Sequence, residues 1–360
     1  MRHPIRLFSI PLIVLLSACL PPAGTSTVPS RVPTSQATDT FTPPAPEPTA
    51  TPAAFVSLHR GVNMGNMLEA PNEGEWGLTV QEEYFDLISD AGFDFVRLPV
   101  RWNAHAGTEW PYTVDPAFFA RIDEVVGWAM ERGLVIIVDF HHYEEMAWDP
   151  WSHKDRFLGI WKQVAGHYKD YPSSVLLELL NEPNDQLNAA LWNEYLAEAL
   201  QIVRETNPTR DVVIGPVQWN AYDWISTLDV PDDEHLIVTF HYYLPFEFTH
   251  QGAEWIGDES NQWLGRTWDA TDDQKAEIAN NFDSVADWSQ RHGNIRILLG
   301  EFGAYFRADM ESRLRWTEFV RSEAERHGFA WSYWEFGSGF GVYDPDAKVW
   351  REELLRALIP

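Results

Sequence analysis

The feature that most constrains this chain is an eightfold alternation of apolar, β-branched runs with segments of helical spacing. The runs fall near 58–62, 93–98, 134–140, 175–180, 211–217, 235–241, 295–300 and 329–334. Between and after them lie helical patterns at 79–91, 115–132, 153–170, 188–206, 222–228 (weak), 272–292, 309–327 and 347–358. Thr79 with Glu82 three residues on, and Asp115 before Pro116, read as helix starts. Gly92 and Gly133 stand where left-handed caps are expected. Eight strand-then-helix units predict a (β/α)8 TIM barrel forming a single catalytic domain over 55–360. A doubly wound open sheet would want a glycine-rich phosphate loop after its first strand, and Gly61-Val62-Asn63-Met64-Gly65-Asn66 is not one.

The first 54 residues read as addressing and tether. Arg2 and Arg6 precede a short apolar run, Leu7 to Leu16, which ends in Leu16-Ser17-Ala18-Cys19. That ending resembles a bacterial lipobox, so residues 1–19 are expected to be a lipoprotein-type signal with Cys19 lipidated. Pro, Thr and Ser make up more than half of 20–54, the composition of a disordered linker. The expected location is outside the cell, lipid-anchored to its surface, with membrane contact only through the N-terminus.

Composition excludes further classes. Cys19 is the lone cysteine, which leaves no disulfide framework and no cysteine zinc site. The net charge of −28 argues against a nucleic-acid partner, because phosphates would meet their own sign. Eighteen tryptophans exceed what packing alone asks for.

In a barrel, chemistry belongs at the C-terminal ends of the strands. Those ends hold Asn66 and Glu69, Arg97, His141-His142-Tyr143, Asn181-Glu182-Pro183, His241-Tyr242-Tyr243, Glu301 and Trp334-Glu335. Two carboxyls facing each other from the fourth and seventh strands, Glu182 and Glu301, are what glycoside hydrolysis needs, whether with retention or inversion. Strand alternation groups Ile295, Ile297 and Leu299 with Glu301 as a barrel-filling stripe, and likewise Thr239, His241 and Tyr243, and Phe93, Phe95 and Arg97. Glu178 shares parity with Glu182 but lies deeper, and reads as a structural carboxylate satisfied by Arg97. His141 and His142 point to opposite faces and lack a third local ligand, so no metal and no cofactor is expected. Asn66 and Glu69 look like distal-sugar contacts, with a loop-stabilising pair as the alternative. Loop 242–268 carries Tyr242, Tyr243, Phe246, Phe248, Trp255, Trp263 and Trp268, rings suited to sugar faces; Trp263 and Trp268 read rather as packing within the loop.

Leu180-Asn181-Glu182-Pro183 and Gly300-Glu301-Phe302-Gly303 resemble the two signatures of glycoside hydrolase family 5. The resemblance runs through Gly65-Asn66, Val96-Arg97-Leu98-Pro99, His141-His142-Tyr143, His241-Tyr242-Tyr243 and Tyr333-Trp334-Glu335. The stretches GNMLEAPNEGEWG, PFEFTHQGAEW and YWEFGSGFGVYD are similar to thermophilic bacterial endoglucanases of subfamily 25. The resemblance implies a retaining endo-β-1,4-glucanase acting on glucans and glucomannan. It makes Glu182 the acid/base and Glu301 the nucleophile. Asn181 would hold the sugar 2-hydroxyl, Arg97 and Tyr243 would keep Glu301 ionised, and His241 would tune Glu182. His141, His142, His250 and Trp255 would contact substrate, and Trp334 would be the sugar platform. The partner is then a β-glucan or mannan polysaccharide and the protein a monomer. A mannanase-dominant enzyme and a non-catalytic glycan-binding lipoprotein remain alternatives.

Overall fold

The computed structural model describes residues 55–360. The signal at 1–19, the lipobox Cys19 and the linker 20–54 lie outside the described residues. Eight parallel strands close a barrel in sequence order: β1 (Arg60–Asn63), β2 (Phe95–Val100), β3 (Val135–Phe140), β4 (Val175–Glu178), β5 (Val212–Ile214), β6 (Leu236–His241), β7 (Arg296–Glu301) and β8 (Ala330–Tyr333). β8 pairs back onto β1, which leaves no edge. The main outer helices span Glu82–Ala91, Pro116–Glu131, Pro150–Tyr168, Ala189–Thr206, Asp272–Arg291, Met310–Arg326 and Glu352–Leu358.

The unit after β5 departs from the repeat, as its weak pattern foreshadows. A tight turn at Val217–Asn220 and a 3-10 helix at Tyr222–Thr227 stand in place of a full helix. Asp115 caps as expected, its carboxylate accepting the Ala117 N–H at 2.8 Å ahead of Pro116. Thr79 does not cap. The first helix begins at Glu82 after Gln81, and the Thr79 hydroxyl accepts the Gln81 side-chain amide at 2.6 Å instead. A two-stranded antiparallel ribbon, Tyr343–Asp344 with Val349–Trp350, was not legible in the pattern. Among the described residues, no helix is long and apolar enough to cross a membrane.

The interior of the barrel is layered. Phe95, Ile137, Leu176, Val213, Ile237, Leu298 and Ala330 fill its floor. The much larger apolar core lies between strands and helices. Two residues further along the strands the inward side chains turn polar: Arg97, Asp139, Glu178, Thr239 and Ser332, all buried. Tryptophan splits between two uses. Trp102, Trp161, Trp192, Trp268, Trp316 and Trp331 are fully buried, whereas Trp110, Trp148, Trp151, Trp219 and Trp255 are exposed.

Candidate active site

Alternation carries Phe95 and Arg97 inward, but Phe93 packs outside, ahead of β2. The stripe expected to lead to Glu301 is wrong in its members. Ile297 and Leu299 face the helices, and it is Leu298 that fills the barrel. Glu301 reaches the mouth because the β6–β7 register slips at that point. Phe240 pairs with Leu299, but His241 pairs with Glu301, so Gly300 is skipped. A Cβ at Gly300 would lie 2.3 Å from Thr239 Oγ1 and 3.0 Å from His241 Nε2, so only glycine fits there. On β4, alternation ends at Glu178. Leu179 and Leu180 both join the outer core, while Asn181 and Glu182 both turn to the mouth. Glu182 does so with φ at +49°, a left-handed conformation unfavourable for a residue with a Cβ.

Arg97 organises the floor of the site. Its Nε and Nη2 donate to Glu178 at 2.7 and 2.8 Å, a bidentate pair. Nη1 donates to Glu301 Oε1 at 2.7 Å and to Asn63 Oδ1 at 3.0 Å. Nη2 also donates to Asn181 Oδ1 at 2.8 Å and lies 3.0 Å from Asp139 Oδ2. Every guanidinium N–H is occupied, which fixes the plane of the group and with it the N–H it donates to Glu301. The second Glu301 oxygen accepts the Tyr243 hydroxyl at 2.8 Å. His241 Nδ1 sits 2.7 Å from Glu182 Oε1 and 3.6 Å from Glu301 Oε2. His141 Nδ1 lies 2.6 Å from Asp139 Oδ2, and its Nε2 faces the Asn181 amide nitrogen at 3.4 Å.

These groups separate the two carboxyls electrostatically. Burial raises Glu301 to about 7, with the Glu182 charge adding to the rise and Arg97 and the Tyr243 hydroxyl opposing it. Burial raises Glu182 to about 8, opposed by Arg97 and reinforced by Glu178. Glu301 has the direct cation and hydroxyl donor and is the easier of the two to ionise; Glu182 is the better proton carrier. Burial holds His241 down to about 4, so its imidazole is neutral. Glu182, His241 and Glu301 each offer one atom, all within 4.8 Å of one another, the single grouping among the described residues that could hold a metal ion. A cation there would lie beside the Arg97 guanidinium, which is 2.7 Å from Glu301, at unfavourable Coulomb cost.

The remaining predicted residues ring the mouth. Trp334 stacks on His141 at 5.4 Å with planes 4° apart. His142 meets Trp76 edge-on at 5.7 Å. Asn66 donates to Glu335 at 2.8 Å, and Glu69 turns back onto its own loop, accepting the Asn66 and Met67 amides. At Glu69 the contacts are therefore those of the loop-stabilising alternative. His250 stacks on Phe246 at 4.1 Å and touches Tyr243 edge-on at 4.9 Å, while Trp255 stands exposed against Tyr305. Trp268 is buried and Trp263 half-buried against Phe246, which makes both packing residues of the loop.

Sequence reasoning passed over several residues. Asp139 stands two before His141 on one strand face, a spacing that pointed to it. Glu335 was noted at its strand end without a role; it is fully buried and raised to about 8 by burial. Trp148 and Trp219 line a pocket of about 280 Å³ with His142, Glu182 and Asn184, and nothing in their local sequence distinguishes them from other exposed aromatics.

Residues 58–339 match the family described as Cellulase (glycosyl hydrolase family 5). The chain belongs to glycosyl hydrolase family 5. Within the family it is 39% identical over 327 residues to Endoglucanase H of Acetivibrio thermocellus, covering 89% of this chain and 35% of that protein. The chain thus spans about a third of that relative's length. It is 48% identical to Thermotoga maritima Cel5A, solved in complex with cellobiose and with mannotriose, at a TM-score of 0.82 over 84% of this chain and 97% of that one. It is 39% identical to cellulose synthase subunit Z of Clostridioides difficile, also at 0.82, covering 84% of this chain and all (100%) of that one. The barrel of this chain is thus the family's fold.

Proposed function

We propose that this protein is a retaining, endo-acting β-1,4-glucanase that cleaves glucan and glucomannan chains by double displacement. The observation that carries the reading is the close pair of carboxyls: Glu182 and Glu301 present oxygens within 4.8 Å. Retaining enzymes hold their carboxyls about 5–5.5 Å apart, and inverting ones about 6.5–9.5 Å, to leave room for water. Ionised Glu301 attacks C1 of the sugar. As that bond forms, the C1–oxygen bond to the leaving chain breaks and the Glu182 proton passes to the departing oxygen. Water then attacks C1, Glu182 takes its proton, and the bond to Glu301 breaks. Asn181, with its Oδ1 tied to Arg97, aims its amide nitrogen towards the sugar 2-hydroxyl. Trp334 offers a flat apolar face to a glucose ring before the scissile bond, and Trp219 and Trp148 stand on the leaving-group side.

Mannan is the second substrate. The support is the 48% identity to a protein solved with both cellobiose and mannotriose. The three quoted stretches support placing the chain in subfamily 25. Cys19 and the Pro/Thr/Ser-rich segment support a lipid tether holding the barrel at the cell surface.

The test follows the anomer released first. Proton NMR of a soluble cello-oligosaccharide digest should show the β-anomer appearing before mutarotation, and Glu301→Ala should abolish release of reducing sugar from barley β-glucan and glucomannan. First appearance of the α-anomer, or activity surviving in Glu301→Ala, would refute the double displacement. The ratio of rates on the two polymers ranks glucan against mannan.

A further inference from the structure

The turn after β5 contains three successive residues in the left-handed region: Gln218, Trp219 and Asn220, with φ of 58°, 57° and 53°. Non-glycine residues adopt this region singly, and three together persist only where the surroundings demand it. The turn presents two side chains in opposite directions. Trp219 is exposed in the pocket beside Glu182, and Asn220 is fully buried beneath His241. The Asn220 amide nitrogen lies 3.4 Å from His241 Nε2. Gly215 makes room for it, since a Cβ there would come within 2.7 Å of Asn220 Oδ1.

His241 therefore has both ring nitrogens engaged, Nδ1 with Glu182 Oε1 at 2.7 Å and Nε2 with Asn220. Because its imidazole is neutral, it carries one proton, and the position of that proton decides the geometry of the acid. With the proton on Nδ1, His241 donates to Glu182 Oε1. The acid proton of Glu182 must then sit on Oε2, which has no partner among the described residues and faces the cleft. With the proton on Nε2, Nδ1 becomes an acceptor. Glu182 would then turn its own proton inward, away from the glycosidic oxygen. The Nδ1–H form also serves the second half-reaction, where Glu182 is an ionised base and gains from a donor. An Asn220 N–H pointed at Nε2 is compatible only with the Nδ1–H form.

We propose that Asn220 is a positioning residue that fixes His241 as its Nδ1–H tautomer and so holds the acid proton of Glu182 on the oxygen facing the leaving group. This rests on Glu182 being the acid/base. The charged and titratable groups around the pair are Glu301 from β7, Arg97 from β2, Glu178 from β4, Asp139 from β3, His141 just beyond β3 and Tyr243 beyond β6. None of these contacts Nε2, so none substitutes for Asn220 in setting the tautomer.

Asn220→Asp and Asn220→Gly both tolerate a left-handed backbone. The full chain, labelled with ¹⁵N-histidine, would be followed by long-range proton–nitrogen correlation to read the His241 tautomer, alongside kcat/KM on two cellobiosides. Phenyl β-cellobioside needs its leaving group protonated; 2,4-dinitrophenyl β-cellobioside does not. The expected result is an Nδ1–H imidazole in the parent and a shift of the proton to Nε2 in Asn220→Asp. Both variants should lose about 10- to 100-fold on the phenyl glycoside and less than about threefold on the dinitrophenyl one. An Nε2–H imidazole in the parent overturns the proposal without any variant. So does an unchanged tautomer in Asn220→Asp, or an equal loss on both glycosides. Glu182→Gln, run beside them, separates the two readings. If it lacks the leaving-group split, the assignment of Glu182 fails; if it shows the split and the Asn220 variants do not, only the role of Asn220 falls.

Discussion

Replacing Tyr243 with phenylalanine removes one oxygen and little else. The ring keeps its edge contacts with His250 at 4.9 Å and Phe340 at 6.1 Å. What disappears is the 2.8 Å hydrogen bond from the hydroxyl to Glu301 Oε2. A hydrogen bond to a charged group contributes about 1.5–3 kcal/mol, and one pKa unit corresponds to about 1.36 kcal/mol. The bond is made to the ionised form of Glu301, so its loss disfavours ionisation and raises the carboxyl further above its ordinary value. Arg97 still holds Oε1 at 2.7 Å, so the lower end of the range applies and the rise is about one unit. In the proposed double displacement, activity requires Glu301 ionised and Glu182 protonated. The rising limb of the pH profile of kcat/KM reports the first group and the falling limb the second. In the parent both limbs should lie above the ordinary carboxylate range, since burial lifts Glu301 to about 7 and Glu182 to about 8.

In Tyr243→Phe the rising limb should move up by about one pH unit while the falling limb stays. The maximum should drop by only about twofold as the two limbs close on each other, because with equal limbs roughly a third of the enzyme still has Glu301 ionised and Glu182 protonated. The assay is initial-rate hydrolysis of a chromogenic cellobioside across the pH range, with thermal unfolding measured on the same samples. A rising limb that stays put, or moves to lower pH, while the rate falls would refute the reasoning. It would mean that the hydroxyl acts on substrate and not on the charge of Glu301.

Three further outcomes follow from the same buried groups. Glu178→Gln takes the charge from the bidentate partner of Arg97 while Glu301 at 2.7 Å and Asp139 at 3.0 Å still compensate the guanidinium, so the loss is that of a charge-assisted hydrogen bond, about 1.5–3 kcal/mol. The melting temperature should fall by roughly 3–6 °C, which differential scanning calorimetry reads directly. Glu335 has a folded value of about 8 against an ordinary 4.5, so it stabilises the fold at pH below 4.5 and loses that contribution as pH rises towards 8. Melting temperature should therefore decline across that window, and Glu335→Gln should make the decline shallower in a pH series of melting curves. EDTA should leave the rate on β-glucan unchanged, because the carboxyls, the imidazole and Arg97 complete the chemistry; loss of activity restored by added divalent cation would contradict this.

The parts of this molecule that were legible in its sequence are those governed by period. Eight apolar runs gave eight strands, and polar residues at their ends collected at one mouth. The weak helical pattern at 222–228 marked the unit that holds only a short 3-10 helix. Alternation failed wherever the backbone leaves regularity to make the site. It placed Ile297 and Leu299 inside the barrel, because a register slip at Gly300 cannot be read from a run of apolar residues. It would put Leu180 inside with Glu178 and Glu182, whereas Leu180 joins the outer core and Asn181 turns to the mouth beside Glu182, because the left-handed residue at 182 is invisible to a period of two. Thr79 looked like a cap because its spacing to Glu82 was right, yet its hydroxyl accepts the Gln81 side-chain amide at 2.6 Å and the helix starts only at Glu82.

The buried charges explain why such irregularities cluster at the mouth. Asp139, Glu178, Glu182 and Glu301 surround the single cation Arg97, and each is raised by burial. One guanidinium cannot neutralise four carboxylates, so the site holds at least one proton at neutral pH, in keeping with burial raising Glu182 to about 8. Regular strands would aim only alternate side chains inward and would not bring two carboxyls this close. The slip at Gly300 and the left-handed Glu182 deliver the seventh-strand and fourth-strand carboxyls to the same point, where each makes the other harder to ionise. A stored proton beside an ionised nucleophile is thus a consequence of how the chain ends its strands. Straightening either irregularity should cost the chemistry before it costs the fold: Gly300→Ala, which would press on Thr239 and His241, is expected to lose activity by about 100-fold while retaining a cooperative unfolding transition. A variant that keeps full activity would show that the slip does not set the position of Glu301.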